Sequence, residues 1–125
     1  MLHPWIERRD FRIPARLIVR VVLGDGRSLL GKAEDLSLGG MKLRLHERCP
    51  PDTGLTVLLN PPGAALRLAA VSRWTLPADI QLREYFCGIR FAPLDPEQYR
   101  RLRAFVFEQS RPWVERRDGE IFSGN

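Results

Sequence analysis

Arg16-Leu17-Ile18-Val19-Arg20-Val21-Val22-Leu23-Gly24-Asp25-Gly26 decides the fold class. Ile18, Val19, Val21 and Val22 are β-branched and suit a pleated strand better than a helix. Gly24-Asp25-Gly26 then supplies a turn of the kind that reverses the chain between antiparallel strands, so a second strand is expected over residues 28–36. The Gly-x-Gly is not a dinucleotide fingerprint. Leu29 stands where the third glycine belongs, and no helical pattern follows.

Outward from this hairpin the pattern repeats. Residues 41–45 alternate as Met-Lys-Leu-Arg-Leu, a half-buried third strand, and residues 46–54 form a Pro-rich connection. A fourth strand is expected over residues 55–59, a turn at Asn60-Pro61-Pro62-Gly63, and a fifth strand over residues 66–74. A loop around Pro77-Ala78-Asp79 and a sixth strand over residues 85–91 complete the series. Many short strands with turns at close intervals indicate a sandwich or a closed barrel, of which closure removes exposed sheet edges.

The period then changes. Asp95-Pro96-Glu97-Gln98 combines an N-cap carboxylate, a proline at the first helical position and a glutamine at the third, a capping-box pattern. Tyr99, Leu102, Phe105 and Val106 follow at helical spacing, so one amphipathic helix is expected to about residue 110, ended by Pro112. Residues 111–125 read as a loosely ordered tail, and residues 1–12, bounded by Pro4 and Pro14, as an extended polar arm. The intervening residues 13–110 then form one domain.

A chain of 125 residues that is 44% apolar can bury a core without disulfides or a structural metal. Cys49 and Cys87 lack the spacing of a zinc site or a disulfide framework, which suits a reducing cytoplasm. No window has the length and apolarity of a membrane span, and the start of the chain lacks a signal peptide's apolar run. A net charge of +5 favours an anionic partner. Every basic residue except Lys32 and Lys42 is arginine, whose planar fork suits phosphate oxygens and guanine edges better than ammonium does. His3 and His46 fall in expected loops with no carboxylate or second histidine at ligand or triad spacing, so catalysis finds no support.

Two constellations remain. Arg8-Arg9-Asp10-Phe11-Arg12 carries Arg-x-x-x-Arg just before the first strand, and Asp35-Leu36-Ser37-Leu38-Gly39-Gly40 carries Asp-x-Ser-x-x-Gly between the second and third. In this order and separation the pair resembles the PilZ domain, and Gly88-Ile89-Arg90-Phe91 and Asp95-Pro96-Glu97 extend the likeness across residues 7–108. The resemblance implies a mostly β fold, a six-stranded antiparallel barrel of split-barrel type with one C-terminal α-helix. It also implies a bacterial receptor for cyclic di-GMP, without enzymatic activity, whose arm folds over the ligand above the Asp-Ser-Gly loop. With no output domain on the chain, the signal would pass in trans to an effector protein.

The residues suit these roles. On an extended arm Arg8 and Arg12 lie on one side, about 13 Å apart at full stretch, so a slightly curled arm brings both to one compact ligand. Each can fork onto a phosphate or onto guanine O6 and N7, while Arg9 points the other way and is a secondary candidate. Asp35 can accept from guanine N1–H and N2–H₂, and Ser37 can bond a phosphate oxygen. Gly39 and Gly40 are expected to allow positive φ and close ligand approach, although the same residues also make an ordinary turn. Trp74, at a strand end, either stacks on a purine or packs in the core, the commoner fate of a barrel tryptophan. A second Glu-Arg-Arg-Asp at residues 115–118 lacks the following arginine and reads as coincidence or a partner-facing tail. A small nucleic-acid-binding barrel is the runner-up, weakened by the want of interleaved aromatics on the strands, and a PilZ-like interaction domain that binds no nucleotide is a third reading. Stable nucleic-acid binding is therefore not expected, and whether one or two cyclic di-GMP molecules bind is left open.

Overall fold

The computed structural model describes residues 12–61 and 64–123, with side chains described through Arg111. Six strands, β1 (Ile13–Leu23), β2 (Ser28–Leu36), β3 (Gly40–Leu45), β4 (Gly54–Leu59), β5 (Leu66–Asp79) and β6 (Glu84–Phe91), precede one helix, α1 (Pro96–Ser123). The strands close into a barrel in the order β1-β2-β3-β6-β5-β4, every neighbouring pair antiparallel. Closure, rather than the sandwich that strand spacing alone also allowed, leaves most backbone N–H and C=O groups paired around the ring.

Alternation builds the core. Val19 and Val21 of β1, Met41, Leu43 and Leu45 of β3, Leu55, Val57 and Leu59 of β4, and Leu66, Leu68 and Ala70 of β5 all point inward. Leu102, Phe105 and Val106 of α1 are buried with them, and the helix packs on β1 and β5. Its start is fixed by the expected reciprocal cap: the Gln98 amide donates to Asp95 Oδ1 at 2.7 Å, and the Asp95 amide donates to Gln98 Oε1 at 3.0 Å. Gln98 Nε2 also donates to the Arg67 carbonyl at 3.0 Å, and Arg101 reaches the Ala64 and Ala65 carbonyls. The first turn of α1 is thereby tied to the β4–β5 connection.

Three prolines behave differently from the sequence expectation. Pro14 lies inside β1 and Pro77 inside β5, which runs on to Asp79 instead of ending near Trp74. Both sit where the strand is paired on one side only, Pro14 with Asp35 and Pro77 with Tyr85, so neither missing N–H breaks a ladder. The α1 backbone continues through Pro112 to Ser123, past the residue expected to stop it. One absent N–H removes one helical hydrogen bond, and the following Trp-Val-Glu-Arg-Arg run is compatible with helix, so the backbone continues instead of ending.

Cys87, on the inner face of β6, is wholly buried. Burial, with the neighbouring Cys49 adding to it, pushes its thiol up to about 12. Iodoacetamide at pH 8 should therefore leave Cys87 unmodified in the native chain and alkylate it once denaturant opens the barrel. Native-state alkylation at the rate of an exposed thiol, read by mass spectrometry, would contradict the burial.

Candidate functional site

Three irregularities in the ladders gather at one end of the barrel. The pairing register shifts between Pro14 and Leu17 on β1, between Ala33 and Asp35 on β2, and between Ser72 and Trp74 on β5. The last has the largest consequence. Leu66, Leu68, Ala70 and Ser72 face inward along β5, and strict alternation would carry Trp74 into the core with them. The extra residue at Arg73 reverses the parity, so Trp74 pairs with outward-facing Gly88 and its side chain is 40% exposed. A carbon added at Gly88 would lie 2.2 Å from the indole Nε1, so the bare backbone of β6 is the flat seat on which Trp74 rests.

Around this indole runs a groove of about 320 Å³ lined by Arg12, Gly39, Arg73, Trp74, Gly88, Ile89 and Arg90. Arg12 is held there by Asp35, its Nη1 donating to Oδ1 at 2.8 Å. The same oxygen accepts from the Lys42 amide at 2.9 Å, which fixes the carboxylate against β3. Lys42 itself, opposite Gly88, turns its ammonium onto the Phe86 ring at 4.0 Å. Arg73 and Arg90 meet no carboxylate among the ion pairs of the described residues. The groove therefore has cationic walls and an aromatic floor, and the Asp35 carboxylate is bonded to one of its wall residues, Arg12.

The Asp-Ser-Gly loop forms the adjoining rim. Ser37 is fully buried, and its hydroxyl donates to the Gly40 carbonyl and accepts from the Gly39 and Gly40 amides, each at 3.1 Å. All of its donor and acceptor capacity is used inside the loop. Gly39 and Gly40 do not have the positive φ expected of them; among the described residues Gly26 is the glycine in that region. Gly40 is required for another reason, because a carbon there would sit 2.0 Å from the Ile89 carbonyl oxygen on β6. The carbonyl of Gly39 accepts from the Phe91 amide at 2.8 Å, so the loop is bound to β6 at both glycines.

Of the residues singled out from sequence, the structure brings together Arg12, Asp35, Ser37, Gly39, Gly40 and Trp74. Arg8 and Arg9 lie outside the described residues. Arg73 and Arg90 were missed as site residues, although Arg90 stands in the Gly-Ile-Arg-Phe strand and the inward set Cys87, Ile89 and Phe91 would have shown it outward. His46 is exposed as expected, with Glu84 Oε2 at 3.8 Å.

The PilZ domain family model matches residues 6–108. Among curated proteins, none matches the sequence. The structure is similar to the PilZ domain with c-di-GMP of YcgR from Escherichia coli, at 24% identity and a TM-score of 0.67, covering 90% of this chain and 98% of that one. It is also similar to the PilZ domain of CeSA from a cellulose-synthesizing bacterium, at 23% identity and a TM-score of 0.62 over 78% and 95% of the two chains. The K. pneumonia MrkH–c-di-GMP complex gives 18% identity and a TM-score of 0.66 over 90% of this chain and 55% of that one. The chain thus spans about half the length of MrkH.

Two glycine substitutions separate the seam from the seat. Gly40→Ala should destabilise the fold by at least about 2 kcal/mol, since its clash is with backbone. Gly88→Ala should fold nearly normally but displace the half-exposed indole and alter tryptophan emission. Denaturant melts and fluorescence test both; an unshifted Gly40→Ala melt would remove the seam.

Proposed function

The chain belongs to the PilZ domain family, and on that premise we propose that it is a receptor for cyclic di-GMP that works by binding rather than by catalysis. The observation that carries the proposal is the groove in which Arg12 is already oriented by Asp35 beside Arg73, Trp74 and Arg90. Guanidinium groups suit the two phosphates, an indole face suits a purine, and a carboxylate suits the N1–H and N2–H₂ donors of guanine. Few other small anions present all three chemistries at once.

Each residue then has a role. Arg12 keeps its bond to Asp35 and offers its remaining N–H groups to phosphate or to guanine O6 and N7. Asp35 accepts from guanine through Oδ2, which carries none of the bonds that fix the carboxylate. Trp74 stacks a base, and Arg73 and Arg90 add the charge that the arm alone does not supply. Ser37 contributes by holding Gly39 and Gly40 against β6, and reaches a phosphate only by exchanging one of its loop bonds. Arg8 joins from the arm, with Arg9 secondary.

Binding would order the arm of residues 1–12 over the barrel of residues 13–110. The closed form gains only what the ligand's contacts with arm and barrel together supply. The changed surface would pass the signal to an effector protein in the bacterial cytoplasm. Among the described residues no helix is long and apolar enough to cross a membrane.

Because the Arg12–Asp35 pair is half exposed, its loss should barely move the melting temperature. Arg8→Ala and Arg12→Ala should each weaken cyclic di-GMP binding by about 1.5–3 kcal/mol, in line with charge-assisted bonds. Calorimetric titration beside thermal melts checks this; wild-type affinity in both variants would refute the arm's role.

A further inference from the structure

Beside the groove around Trp74 lies a larger one of about 810 Å³ at the corner where β6 passes into α1. Leu38, Val71, Phe91, Pro93, Leu94 and Tyr99 supply its apolar wall, and Arg73 and Arg90 line both grooves, so the two adjoin. Tyr99 on the first turns of α1 is 38% exposed, leaving this wall open. The receptor mechanism uses its Arg73 and Arg90 but not its apolar wall. Arg12, the first described residue of the chain, lines the first groove.

Those residues read Met1-Leu2-His3-Pro4-Trp5-Ile6-Glu7-Arg8-Arg9-Asp10-Phe11. We propose that, with cyclic di-GMP bound, Trp5 and Ile6 seat in the apolar groove at the β6–α1 corner and Glu7 faces Arg73 and Arg90. The docking rests on the receptor reading, because Arg8 and Arg12 engaging one ligand is what directs the arm across the barrel. Three features select this occupant. Trp5-Ile6 is the bulky apolar pair nearest the arginine motif. The stretch from Arg12 to Trp5 reaches about 23 Å when extended, ample to pass from one groove into the next. Glu7, an acid next to a ligand that carries two phosphates, needs compensating cations, and Arg73 and Arg90 at the junction have no carboxylate partner among the described residues. Seating Trp5 and Ile6 brings Glu7 to that junction through sequence adjacency alone.

A double-mutant cycle on the full chain, read by calorimetric titration with cyclic di-GMP, tests the docking. Trp5→Ala combined with Ile6→Ala should weaken binding about tenfold by removing buried apolar surface from the closed form. Tyr99→Ala and Leu94→Gln, two independent changes to the groove, should each weaken it in the same direction, with melts confirming the fold. Combining arm and groove changes should cost little more than the arm change alone, since both remove one contact. Full additivity, or unchanged affinity in the arm variant, overturns the docking while leaving the receptor reading intact. A wild-type chain that does not bind cyclic di-GMP overturns both. Groove variants that leave cyclic di-GMP affinity unchanged but abolish self-association would assign the groove to a second copy and overturn the docking.

Discussion

The close passage of Gly40 beneath the Ile89 carbonyl is the constraint on which the rest of the site depends. A single side-chain carbon would stand 2.0 Å from that oxygen, so β3 can pair with β6 at this point only without one. That pairing closes the ring and puts Arg90 opposite Gly40, with Gly88 opposite Lys42. Ser37 serves the same seam from inside the loop, bonding both glycine amides and the Gly40 carbonyl. A loop whose composition suggests ligand contact is thus first a structural joint. The joint holds the Gly39 rim of the groove in place, and the Lys42 amide fixes the Asp35 carboxylate nearby.

The second determinant is the bulge at Arg73. In a barrel each strand satisfies two neighbours, and β5 changes partners near Val71, pairing with β4 before it and with β6 beyond it. The extra residue absorbs that change and turns the following tryptophan outward. Arg73, Trp74, Gly88 and Arg90 therefore come from two adjacent strands and owe their convergence to register, not to any local motif. Charge organises the groove without stabilising the fold appreciably: the Arg12–Asp35 pair is accessible to water, and among the described residues Arg73 and Arg90 have no carboxylate partner.

Much of this was legible beforehand. The β-branched run at residues 16–23, the Gly-Asp-Gly turn and the capping box at Asp95 each place an element by local chemistry, and local chemistry is what one sequence reports. Arg12 of the first motif and Gly39 of the second line the groove. What stayed hidden depends on pairing partners distant in sequence. Pro14 and Pro77 read as strand breakers because their one-sided pairing is a property of the closed ring. Trp74 could not be assigned inward or outward because one bulge residue decides its parity. Gly40 was credited with backbone freedom when its real requirement is room for a carbonyl from a strand some fifty residues away. Arg90 and Trp74 were each visible as a letter in a strand, but their convergence with Arg73 was not.

The central claim is that this groove reads a guanine dinucleotide by specific contacts and does not simply attract polyanions. A competition titration of cyclic di-GMP, cyclic di-AMP and a short mixed-sequence single strand, at two salt concentrations, tests it most directly. Adenine lacks the N1–H and N2–H₂ donors and the O6 acceptor, so Asp35 and an arginine would be left unpaired. Cyclic di-GMP should therefore be preferred over cyclic di-AMP by about a hundredfold or more. With two phosphates its salt dependence should be shallow, whereas oligonucleotide binding falls steeply as counterions are released. Preference for the single strand, or equal affinity for the two cyclic dinucleotides, would contradict the account.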